Sequence, residues 1–148
     1  MNNRTTLSQS GLSLTEALIT LALLCILIVP ALKTLRQSAV NYSHAYSAYQ
    51  TDLIVSGLIA EAKAAAETQN LMDISIEFTK YIENERYECV VIIDELLTGM
   101  SKTIRYPNNS VLAIQPASMT QTGYFSGLIT VAAKDTVTGI IKIKAIPF

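Results

Sequence analysis

Few side chains in this chain are placed to do chemistry, and Glu16 is the most conspicuous. It lies five positions after Gly11 and abuts the uncharged run ALITLALLCILIVPAL, residues 17–32. A carboxylate in apolar surroundings is penalised by several kcal/mol unless a cation compensates it, so its expected chemistry is ion pairing. His44 is the only histidine and sits among tyrosines; with no second histidine to join it, a solvated or packed ring is expected. Cys89 has no histidine nearby in the sequence and falls in a buried-looking strand, which predicts an inert core thiol. Glu83, Glu85 and Glu88 read as a solvated loop and strand edge rather than a cation site. Asn108-Asn109-Ser110 matches a glycosylation triplet but reads as a turn. There is no phosphate loop and no zinc spacing. The expectation is a protein that is not an enzyme, with no catalytic residue, no metal and no cofactor.

The elements that position Glu16 begin with the apolar run. Half of the 148 residues are hydrophobic and the mean hydropathy is positive, with the excess gathered in this block. Extended back to Leu12 it gives 21 residues with one charge. A bilayer core about 30 Å thick needs roughly 20 helical residues, so the block is long enough to span it. A cleaved secretory signal or a plain single-pass anchor would pass the same test. The leader MNNRTTLSQSG, however, is polar with one Arg, and the chain after Leu32 continues as helix instead of opening into a loop. Formal charge is −1, from 11 basic and 12 acidic residues without a like-charge run. That composition excludes the electrostatic footprint of a nucleic-acid binder and of a polybasic membrane patch. Cys25 in the block and Cys89 far along the chain are not expected to meet in a disulfide.

Beyond the block, Leu35, Ala39, Tyr42, Tyr46, Tyr49, Leu53 and Ala60 recur at spacings near three and four, which predicts one apolar helix face. Arg36, Asn41, Ser43, Ser47, Gln50 and Asp52 fall mostly elsewhere around the helix. Tyr42, Tyr46 and Tyr49 are expected to pack on a sheet or another helix. The alanine-rich stretch 60–67 favours helix, and Asn70 is a plausible end. One helix from about Leu12 to about Thr68 would measure roughly 85 Å at 1.5 Å per residue, too long for a head of the remaining residues to cover. Gly57 reads as a tolerated glycine under a close-packed strand, and Pro30 should kink or loosen the helix.

After Asn70 the period becomes two. Residues 72–78 alternate Ile74, Ile76 and Phe78 against Asp73, Ser75 and Glu77, and residues 86–94 place Cys89, Val91 and Ile93 on one face. Gly99 to Asn109 reads as a loop, Ser110–Ile114 as a possible short strand, and residues 116–123 as a polar connection. Tyr124–Ala133 and Gly139–Ile146 form a terminal hairpin across the turn at 134–138. The fold class is α+β: a long helix, spanning then amphipathic, against a small antiparallel sheet of four or five strands.

The residues GLSLTEALITL, a glycine closing a polar leader, an apolar residue and a glutamate at this spacing, resemble the signal of type IV prepilins and type II secretion pseudopilins. The resemblance implies cleavage by prepilin peptidase between Gly11 and Leu12, with N-methylation of Leu12, where the family usually has phenylalanine. It gives Glu16 the assembly role: its carboxylate would meet the new α-amine of a neighbouring subunit and set axial register. It divides the chain into a leader (1–11), a membrane and filament-core half of the helix (12–34) and an extracytoplasmic head (35–148). Pro30 stands slightly before the family's usual helix-breaking proline. The mature chain also lacks the paired C-terminal cysteines of many adhesive pilins. Both departures lean towards a minor subunit, and the terminal hairpin loosely resembles that of I-type minor pseudopilins. The implied partners are other pilin-like subunits, the peptidase, an inner-membrane assembly platform and lipid before assembly, with no nucleic acid. The alternatives are a minor pilin whose tip-located head binds a surface, DNA or a secreted substrate, and a plain membrane-anchored protein.

Overall fold

A computed structural model of the protein describes residues 13–76, 85–114 and 126–148. Its elements are helix α1, Leu14–Thr68, a short 3-10 turn, Leu71–Asp73, and strands β1 (Tyr87–Glu95), β2 (Ser101–Tyr106), β3 (Gly127–Asp135) and β4 (Ile141–Pro147). The fold is α+β, as expected, and like the pilin fold in its pairing of one long N-terminal helix with a four-stranded antiparallel sheet. The chain divides into two compact units, Met1–Asn41 and Tyr42–Phe148.

In the first unit, the helix from Leu14 to Asn41 buries nothing, and Leu14, Leu18, Leu27 and Leu35 are all more than half exposed. It holds the one helical stretch among the described residues long and apolar enough to cross a membrane, which points to membrane anchoring. The hydroxyls in this stretch fold back on the helix. Thr20 Oγ1 donates to the Glu16 carbonyl at 2.8 Å and Thr34 Oγ1 to the Pro30 carbonyl at 2.9 Å. Such bonds satisfy a polar group that lipid would leave bare.

In the second unit the strands lie in the order β2-β1-β3-β4, all pairs antiparallel. The register puts Cys89, Val91 and Ile93 beside Ile129, Val131 and Ala133 on one face, where they join Ile54, Val55, Leu58, Ile59 and Ala62 of α1 in a single core. The one-face reading of β1 holds for those three residues. Val90, Ile92, Leu128 and Ala132 on the opposite face are buried as well, which is why the sequence of β1 runs VVII without alternation.

Four expectations are corrected. The helix face towards the core is Ser47, Thr51, Ile54, Val55, Leu58, Ile59 and Ala62. Tyr42, Tyr46, Tyr49 and Leu53 point to solvent, 75%, 49%, 65% and 42% exposed, and Ala60 is exposed with them. Residues 72–76 are not strand: a 3-10 turn is followed by extended chain, although Ile74 and Ile76 are buried and Ser75 exposed, as the alternation required. The rest of that segment, Glu77 and Phe78 included, lies outside the described residues. Residues 101–106, read as loop, form β2, whereas 110–114 form no strand. The terminal hairpin is present, but β3 starts at Gly127 and β4 at Ile141, and Tyr124 lies outside the described residues.

Both hairpins close on the same local sequence, an acid, two residues, then Thr-Gly. In Glu95–Met100 the Glu95 N–H donates to the Met100 carbonyl and the Gly99 N–H to the Glu95 carbonyl. In Asp135–Ile140 the Asp135 N–H donates to the Ile140 carbonyl and the Gly139 N–H to the Asp135 carbonyl. Gly99 and Gly139 have φ of 69° and 73°, a conformation that favours glycine.

Candidate functional site

The first candidate is the start of α1. Ser13 precedes the helix, and its N–H donates to Glu16 Oε2 at 2.9 Å while the Glu16 N–H donates to Ser13 Oγ at 3.3 Å. This is a capping box, in which two backbone donors that the helix leaves orphaned are satisfied reciprocally. The sequence SLTE carries that signature, and the reading of Glu16 as an ion-pairing group passed over it. The carboxylate thus has a partner within its own chain, which lowers the penalty of holding it beside an apolar run. Gly11 and Leu12, the expected processing pair, lie outside the described residues. Helix α1 continues through Pro30 without interruption. Proline supplies no N–H, so the carbonyl of Ile26 loses its usual donor there.

The second candidate, within the head, is a buried polar cluster around Asp135 that the sequence did not announce. Asp135 and Ser47 are both fully buried. Arg86 donates from Nη2 to Asp135 Oδ2 at 3.0 Å and from Nε to Oδ1 at 3.3 Å. Ser47 Oγ donates to Oδ2 at 2.5 Å and the Val137 N–H to Oδ1 at 2.9 Å. Ser47 Oγ also lies 2.7 Å from Thr138 Oγ1. Burial pushes the Asp135 carboxyl up. The Arg86 guanidinium, the Ser47 hydroxyl and the Val137 amide together outweigh burial and hold it well below the usual carboxylate range. The same pair raises Arg86, chiefly through the hydrogen bonds it donates to Asp135. Arg86 also lies 5.5 Å from the Tyr87 ring centroid, a cation–π distance. Ser47 is the first buried residue of α1, so the cluster fastens the helix to the β3–β4 turn at the point where it begins to pack. Its chemistry is cohesion: both carboxylate oxygens of Asp135 already accept two hydrogen bonds each.

Burial pushes the Cys89 thiol up to about 12, far from a reactive thiolate, and both cysteines are free. His44 is exposed on α1, and Glu85 and Glu88 lie at the start of the sheet with Lys134 3.5 Å from Glu88. Among the described residues no group of three or more His, Cys, Asp or Glu could hold a metal ion. A cavity of about 110 Å³ opens between Gln69, Leu71, Glu95 and Phe148. Ligand pockets usually start near about 300 Å³, so this one has room for water rather than a cofactor. No family model, curated protein or solved structure matches the chain.

Proposed function

We propose that the chain is a structural, non-catalytic subunit of a type IV pilus-like or type II secretion pseudopilus filament, in the role of a minor subunit. One observation carries the reading. A helix of 55 residues buries no side chain before Ser47 and then packs continuously to Ala62. So much exposed leucine and isoleucine has to be taken up by lipid or by other helices. The GLSLTE motif in front of that surface favours the sequence of events in the resembled family. Prepilin peptidase cuts after Gly11 and methylates Leu12, the helix is stored in the bacterial inner membrane, and the subunit is extracted into a filament. The outward row of Tyr42, Tyr46, Tyr49 and Leu53 favours helix–helix packing in that filament, because the described residues of the head leave it exposed.

Intact mass of the protein from cells that contain the peptidase tests this reading. The expected mass lacks the first 11 residues and carries one added methyl group; an unprocessed mass rejects it. Two substitutions then separate the roles of Glu16. Glu16→Gln keeps an acceptor for the Ser13 N–H and removes the charge, whereas Glu16→Ala removes both. Both variants are expected to insert and be processed but to assemble poorly. Normal filaments from Glu16→Gln would leave Glu16 with the capping role alone.

A further inference from the structure

The sheet has two edges, β2 and β4, and among the described residues only β2 is bonded along its outer side. Along β2, Lys102 Nζ donates to the Met72 carbonyl at 3.0 Å and the Tyr106 hydroxyl donates to the Ile76 carbonyl, so the segment after α1 is held against this strand. Arg105 of β2 donates to the carbonyls of Ser110 and Leu112. Among the described residues, no such side-chain bonds tie chain to the outer side of β4.

The register shows what β4 offers. Gly127 and Phe148 exchange both backbone bonds, and Asp135 donates to Ile140. Because bonded and non-bonded pairs alternate in an antiparallel ladder, Lys142, Lys144 and Ile146 bond to β3. The N–H and C=O groups of Ile141, Ile143 and Ala145 therefore point away from the sheet. Side chains alternate too: Lys142 and Lys144 share the helix-side face with Ala133 and Val131, and Ile141 and Ile143 share the other with Lys134 and Ala132. All four are exposed, Ile141 at 49% and Ile143 at 61%.

Charge decides what fits. Among the described cations of Tyr42–Phe148, Lys63, Arg86 and Lys134 are ion-paired, and Lys102 and Arg105 bond carbonyls. Among the described residues, Lys142 and Lys144 have neither kind of partner. Pairing β4 with β4 of a second copy would set these lysines against each other, the ordinary way an edge is kept from self-association.

We propose that β4 is a docking edge for an extended segment of another protein in which acidic and apolar side chains alternate. The segment adds as a fifth strand. Its backbone pairs with Ile141, Ile143 and Ala145, its apolar residues cover Ile141 and Ile143, and its acids meet Lys142 and Lys144. Main-chain bonds supply affinity and the alternation supplies selectivity. The inference does not rest on the filament reading.

The test uses the full chain in detergent micelles and a fluorescein-labelled octapeptide alternating aspartate and valine, followed by anisotropy. Saturable binding is expected, weakened about tenfold or more by the double variant Lys142→Glu/Lys144→Glu. That variant should instead bind a lysine–valine octapeptide, a charge swap that a merely structural role would not produce. Ile143→Pro, which deletes one outward N–H on an edge that tolerates proline, should also abolish binding. A peptide with the same residues but its aspartates clustered should bind about tenfold more weakly, because clustering removes the alternation. Absence of saturable binding to wild type, equal binding of the clustered peptide, or indifference to the lysine reversal would each overturn the proposal. Unchanged circular dichroism and urea midpoint confirm that the lysine variant is folded.

Discussion

One helix carries two stretches with opposite relations to their surroundings. From Leu14 to Tyr46 no side chain is buried, although most are apolar; from Ser47 to Ala62 seven are buried, although the first two are polar. The difference teaches that hydrophobic content does not mark the half of a helix that packs within its own chain. The most apolar part waits for an environment outside the chain. The part that folds onto the sheet begins on the small polar side chains of Ser47 and Thr51, and larger apolar ones follow only further on. Thr51 Oγ1 donates to the Ser47 carbonyl at 2.7 Å, so its hydroxyl can be buried without a partner from the sheet.

The comparison breaks most visibly in the first stretch. The double variant Leu24→Lys/Ile28→Lys puts two charges mid-helix at about 2.5–3.5 kcal/mol each, and the protein should leave the membrane fraction on carbonate extraction. Full retention would mean that the stretch is not a membrane anchor. In the second stretch, Leu58→Ala should lower stability to urea by about 3 kcal/mol, because Leu58 is fully buried in the core. Tyr49→Ala, its counterpart on the outward face, should stay within about 0.5 kcal/mol. Reversal of that pair would restore the tyrosine face as the packed one.

Asp135→Asn sharpens the same boundary and should lower stability by about 2 kcal/mol, since hydrogen bonds to a charged group are the stronger kind. The folded-state pKa of Asp135 is depressed. Its contribution is therefore complete above the unfolded value of about 3.9 and fades as pH falls below it towards the folded value. Urea midpoints from pH 6 down to about 2 should fall more steeply for wild type than for the variant. Parallel curves would show that Asp135 is not the group responsible. Ser47→Ala removes one bond of the cluster and should lower stability by about 1 kcal/mol, the smallest of these effects that urea unfolding still resolves.

The sequence made several elements legible for physical reasons, and its failures have physical reasons too. The long helix, β1 and the β3–β4 hairpin follow from period and turn chemistry. The tyrosines misled because a row at helical spacing reads as apolar, while their rings carry a polar tip and tolerate water. The packed face opens instead on serine and threonine, which periodicity counts as polar. Strand β2 was missed although its signal was present: Thr98-Gly99 three residues after Glu95 repeats Thr138-Gly139 after Asp135, and the second was read as a turn. Charged side chains on both faces of β2, Lys102 and Arg105, hid the alternation. Segment 72–76 shows the reverse error, since alternation predicts which side chains are buried and not whether a ladder forms. Of the candidate site, Glu16 was legible as a residue but not as a cap. The Asp135 cluster joins positions 88 residues apart in sequence, a relation that no local pattern encodes.

The two acid-x-x-Thr-Gly turns are near copies put to different uses. In the first, Thr98 donates to its own Glu95 at 2.6 Å and the turn is complete by itself. In the second, acid and threonine both reach Ser47. That contact has a mechanical meaning. Tension passing along the helix towards the head meets the sheet first at Ser47, where it loads short polar bonds, which resist small displacements far more stiffly than the greasy contacts behind them. Under such a pull, the bonds of Ser47 to Asp135 and Thr138 would be loaded before the apolar contacts of Ile54 and Leu58.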